Sequence, residues 1–144
     1  MRWRVLLAVA VISLIVHQGF ANAAVREVRL KLRLGGDVVA HVNEATRMIE
    51  SGNNYRVVGN QYSAAAMQVL FIESQFPDRI CAIKRARLYF HLGFYTKTKE
   101  KMKTPDWMFI NFIRPENLKR LGNLPQFGKG WKVVKASDYL GLCK

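Results

Sequence analysis

The chain has 144 residues and carries 23 Lys and Arg against 10 Asp and Glu, a formal net charge of +13. It holds two cysteines, Cys81 and Cys143, and no histidine cluster beside them, which argues against a zinc site, so neither metal nor cofactor is expected. A positive excess of this size attracts polyanions, but the basic residues are scattered and alternate with apolar ones, as on solvated faces; weak binding to anionic surfaces is expected and no specific nucleic-acid site.

The chain opens with Arg2 and Arg4, an apolar run from Val5 to Val16 interrupted only by Ser13, and the small-residue triplet Ala21, Asn22, Ala23. These are the three parts of a secretory signal in order. The run is 12 residues long, short of the roughly 20 that a spanning helix needs. The expected organisation is a signal peptide over 1–23 and a single domain over 24–144, exported to a periplasm or secreted. Loss of Arg2 and Arg4 would leave that domain at +11. In such an oxidising compartment Cys81 and Cys143 can pair, closing a long loop; two buried free thiols are the rival reading.

Along the domain, Glu27 to Leu34 alternates charged with apolar side chains, and Val28, Leu30, Leu32 and Leu34 define one buried side of a strand. Gly35-Gly36 ends it. Val38, Val42, Ala45 and Ile49 then recur at helical spacing between a cap at Asp37 and a stop at Gly52. Tyr55 to Val58 reads as a second strand and Ser63 to Ile72 as a helix apolar on nearly every side. Ile80 to His91 contains a third extended stretch, with Ala86, Leu88 and Phe90 facing the core. Strand, helix, strand, helix, strand predicts an α/β fold with a mostly parallel sheet and crossover helices. Beyond it, 95–103 reads as a loop, Trp107 to Ile113 as an aromatic segment, Pro115 to Leu121 as a helix entered through proline, and Ala136 to Leu142 as a short terminal helix. An anionic-surface patch, if there is one, would be Lys97, Lys99, Lys101 and Lys103 with Trp107.

Three features stand where chemistry could be carried. The Gly35-Gly36 turn can bring backbone N–H groups close to a ligand without side-chain obstruction. Ser63 opens the segment Ser63-Ala64-Ala65-Ala66, so its hydroxyl can stand at a helix N-terminus beside the Ala64 amide, either as a nucleophile served by backbone donors or as an ordinary N-cap. His91 closes the third extended stretch. Of His41 and His91 it is the better placed to act as a base toward Ser63, because His41 falls on the first helix among polar neighbours.

The order strand, Gly-Gly, amphipathic helix, strand, Gly-x-x-x-Ser-Ala (Gly59 to Ala64), apolar helix, and a basic strand ending in Leu-Tyr-Phe-His (Leu88 to His91) resembles the core of the Clp protease proteolytic subunit and its exported relatives in the Clp/crotonase fold. The resemblance covers about residues 27–91, and more loosely the tail from Lys135 to Cys143. It implies a serine nucleophile at Ser63, a histidine base at His91, oxyanion donors on Gly35, Gly36 and Ala64, a peptide or protein substrate, and a homo-oligomeric assembly. No carboxylate lies in Gln126 to Lys135, where the third member of such a triad would fall. Either another acid such as Asp106 substitutes, the site is a dyad, or it is inert. The last alternative makes the protein a non-catalytic binding or assembly member of the fold. An unrelated exported polyanion-binding protein is the remaining reading.

Overall fold

The structure, a computed structural model, describes residues 24–93, 97–102 and 111–144. The predicted signal, Tyr95, Lys103, Asp106, Trp107 and Phe109 lie outside the described residues. The elements are β1 (Glu27–Leu30), α1 (Val38–Glu50), β2 (Asn54–Val57), β3 (Gln61–Tyr62), α2 (Ala64–Gln75), β4 (Ile80–Ala82), β5 (Arg87–Phe90), α3 (Pro115–Leu121), β6 (Lys132–Lys135) and α4 (Ser137–Leu140). The chain is mixed α/β, but the strands among the described residues form two three-stranded sheets where one sheet was expected. The first, β1-β2-β4, is wholly parallel; the second, β3-β5-β6, pairs β3 with β5 in parallel and β5 with β6 antiparallel.

Two predicted strands are divided between these sheets. The first ends at Leu30: Leu32 and Leu34, expected on the buried side, are 60% and 70% exposed. The chain leaves the first sheet there and meets the second through an isolated bridge between Arg33 and Gln61. The stretch from Ile80 to His91 is likewise two strands. A turn closed by Ala86 N–H donating to the Ile83 carbonyl (3.1 Å) carries the chain from β4 to β5. Lys84 and Arg85 sit exposed on that turn, and the Arg87 guanidinium donates back to the Lys84 and Ala86 carbonyls at 2.9 and 3.1 Å. Part of the basic excess therefore holds a turn.

Helix α1 follows its sequence signals. The Asp37 side chain accepts from Ala40 N–H (2.8 Å), and Gly52 takes the left-handed φ of 69° beyond the C-terminus. Val42 and Ala45 are buried. Helix α2 is buried along ten consecutive residues, Ala64 to Glu73, because both sheets and α1 surround it. Cys81 on β4 is disulfide-bonded to Cys143, 62 positions later. No helix among the described residues is long and apolar enough to cross a membrane.

Near the far end of α2, buried Glu73 receives Arg114 at 3.3 Å and the Asn117 side-chain amide at 3.1 Å, tying α3 to α2. Burial pushes the Glu73 carboxyl above its ordinary value and Glu116 adds to this, while Arg114 and the Asn117 hydrogen bond pull the other way. An acid whose folded pKa is raised contributes stability that is full below its unfolded pKa and is lost as pH rises through the folded value. Glu73→Gln is therefore expected to flatten the decline in stability above the ordinary carboxylate range, read from denaturation midpoints between pH 4 and 7, a window that brackets a carboxyl of about 4.3 unfolded. A decline identical to the wild type would refute this.

Candidate functional site

Strand β3 is cut short because the chain turns sharply at Ser63, whose φ of 54° and ψ of −121° an L-residue rarely adopts. Such a conformation costs on the order of 1–3 kcal/mol and persists only where its surroundings hold it. Here the Ser63 N–H donates to the Tyr89 carbonyl on β5 (2.7 Å) and the Ser63 carbonyl accepts from Met67 N–H in α2 (3.1 Å). The hydroxyl does not cap the helix, so the ordinary N-cap role is unfilled. Among the described residues Oγ has no hydrogen-bond partner.

Gly35 lies directly against this serine. A methyl group built on it would stand 2.5 Å from Ser63 Cβ and 3.1 Å from Oγ, so only a residue without a side chain lets the turn approach so closely. The N–H groups at the start of a helix have no acceptor within it, and among the described residues neither Ala64 N–H nor Gly36 N–H finds one elsewhere. The structure thus brings together Ser63, the glycine turn and the Ala64 amide.

His91 is one step removed. Strands β3 and β5 pair in parallel with Tyr62 opposite Tyr89, so Ser63 and His91 emerge from the carboxyl ends of neighbouring strands. No hydrogen bond joins Ser63 Oγ to His91 among the described residues. The His91 Nδ1–H donates to the Leu92 carbonyl at 2.8 Å, which leaves Nε2 as the acceptor nitrogen. A backbone carbonyl thereby fixes the tautomer that a carboxylate would otherwise fix. No carboxylate among the described residues meets this ring.

Residues 126–135 supply aromatic rings in its place. The Leu92 N–H donates to the Pro125 carbonyl (2.8 Å), and the half-buried Gln126 side chain donates to the Met102 carbonyl (3.0 Å), fixing the loop that precedes β6. That loop delivers Phe127 and Trp131 to His91, with ring centroids 5.2 and 4.4 Å away. Trp131 also stands edge-on to the stacked pair Tyr62 and Tyr89. Burial first, then the neighbouring Tyr62, raises the Tyr89 phenol above its ordinary value, so it stays protonated at neutral pH. Half-exposed Trp131 and Phe127 make this an open aromatic wall.

Sequence reasoning passed over His41. A methyl on Gly36 would lie 3.9 Å from His41 Nε2, so the ring sits beside the turn. Its Nδ1–H donates to Gln68 Oε1 (2.6 Å), and the Gln68 amide donates to Met48 Sδ (3.1 Å). Gln68 is fully buried on α2. A glutamine inside the apolar run from Ala64 to Ile72 was the available signal, since such a group needs a partner. Of the basic patch, Lys97, Lys99 and Lys101 are exposed; Lys103 and Trp107 lie outside the described residues. Comparison with protein-family models, curated proteins and solved structures gives no match.

Proposed function

We propose that this protein is an exported serine hydrolase of peptide bonds, with a degenerate triad, built on a Clp/crotonase-like core. Ser63 Oγ attacks the substrate carbonyl carbon while its proton passes to His91 Nε2, and the resulting oxyanion is held by Ala64 N–H and the Gly35-Gly36 turn. Return of that proton from His91 to the leaving amine gives the acyl-enzyme. Water, deprotonated by the same nitrogen, then releases the acid and restores the Ser63 hydroxyl. With Leu92 orienting His91 in place of an acid, the imidazolium gains no opposite charge, and a slow enzyme is expected.

The observation that carries this reading is the strained, uncapped Ser63 pressed against Gly35. A turn of that cost, lined by free amides, suits a nucleophile better than a connector. A fluorophosphonate is expected to add once, at Ser63, as read by intact mass and peptide mapping. Ser63→Ala should abolish the adduct, and His91→Ala should slow its formation by about a hundredfold or more. Absence of any adduct on folded protein, or its survival in Ser63→Ala, would refute the proposal. A non-catalytic binding or assembly role is the second reading, favoured by the packing of His91 against Trp131 instead of a hydrogen bond to Ser63.

A further inference from the structure

The geometry points to His41 as a substrate-positioning residue whose Nε2 accepts a hydrogen bond from the N–H of the same substrate residue whose carbonyl Ser63 attacks. The inference rests on the hydrolase reading of Ser63 and deepens it by naming the substrate class: acyl groups that carry an α-N–H, as in a peptide.

Three facts converge on this. The Gln68 side chain, with no solvent exposure, holds His41 Nδ1–H at 2.6 Å and is itself anchored on Met48 Sδ at 3.1 Å. The tautomer is thereby set, and Nε2 is left as an acceptor. Gln68 lies one helical turn after Ala64, on the same side of α2, so the clamp fixes the ring near the amide that would receive the oxyanion. Nε2 in turn stands 3.9 Å from where a methyl on Gly36 would be, next to the turn's own donors.

An acceptor beside donors has a natural complement. In an extended peptide a residue's own N–H and C=O point to the same side, as they do where antiparallel strands exchange both bonds. A substrate residue laid on the Gly35-Gly36 turn would offer its carbonyl to the amides and its N–H to Nε2. An ester oxygen in place of that N–H would set two lone pairs against each other, and sites built around a substrate N–H discriminate strongly against analogues that lack it.

The test uses two substrates with one leaving group, an N-acetyl-alanine ester and the acetyl-lactate ester that replaces the N–H by oxygen, with active sites counted by fluorophosphonate. The wild type is expected to favour the first in kcat/KM by about tenfold or more. His41→Ala should bring the ratio to about twofold or less by raising KM for the N–H substrate, and His41→Gln, which retains an acceptor oxygen, should recover part of it. A merely structural role would weaken both substrates alike and leave the ratio intact; that result in the variant that lacks an acceptor overturns the inference. A wild type that is labelled but shows no preference also overturns it while leaving the hydrolase reading in place. A wild type that takes no label removes both. Should His41→Ala fail to fold, His41→Phe, which keeps the ring's bulk without an acceptor, reads the same ratio.

Discussion

Reduction of the Cys81–Cys143 bond, or Cys143→Ser, is expected to lower the free energy of unfolding by about 4 kcal/mol, from loop-closure entropy across its 62-residue separation. A domain of this size has about 5–15 kcal/mol in total, so the bond accounts for a large share of it. The bond is set into paired backbone. Cys81 is the middle residue of β4, Ala82 N–H donates to the Gly141 carbonyl at 2.9 Å, and Cys143 N–H donates to the Ala82 carbonyl at 3.0 Å. Those two hydrogen bonds remain after reduction, and the loss therefore falls mainly on the unfolded chain, which becomes free to expand. Urea midpoints with and without reductant measure it. Coincident transitions would refute the expectation.

The second large effect is expected at Gly59. An alanine methyl there would lie 2.3 Å from Leu32 N and 2.7 Å from the Lys31 carbonyl carbon, and neither backbone atom can step aside as a flexible side chain would. This crossing is also where the two sheets are fastened together. Val58 and Gly59 both donate to the Leu30 carbonyl (2.9 and 3.2 Å), and the buried Gln61 amide donates to the Lys31 and Gly59 carbonyls (2.7 and 3.1 Å). Gly59→Ala must either break these bonds or spread the sheets, at a cost of about 3 kcal/mol. Gly128→Ala is the control: among the described residues nothing lies within 4 Å of where its methyl would stand, and its left-handed φ of 81° is what counts, about 1 kcal/mol. Equal losses in the two variants would show that the crossing is not tight.

Local signals in the sequence were sufficient for the helices. Asp37 and Gly52 bracket α1, Pro115 opens α3, and the apolar run from Ala64 to Ile72, interrupted by Gln68, marks a helix enclosed on all sides. The division into two sheets was not legible, because Leu32 and Leu34 keep the alternation of a buried strand after the chain has left the sheet; the backbone that lies against Leu32 there is that of Gly59, distant in sequence. Strand β6 was missed for a similar reason. Its sequence Lys132-Val-Val-Lys135 is short and half polar, and only pairing with β5 makes it a strand.

The same contrast holds at the candidate site. Gly35, Gly36, Ser63 and Ala64 could be named from the sequence because each lies at an element boundary. The clamping of His41 could not, since its partner Gln68 is 27 positions away on another helix. Nor could the aromatic surroundings of His91, which depend on a loop pinned by Leu92 and Gln126.

The edge of the first sheet is finished by residues near the chain's end: Leu142 bridges to Ala82, Cys143 bonds to Cys81, and the Arg56 guanidinium donates to the Lys144 carbonyl at 3.2 Å. A ribosome makes those positions after the strands of both sheets. During synthesis β4 must wait with one flank open until residue 142 has been made, and the covalent lock cannot close before residue 143 has emerged, so this corner matures later than the strands it finishes.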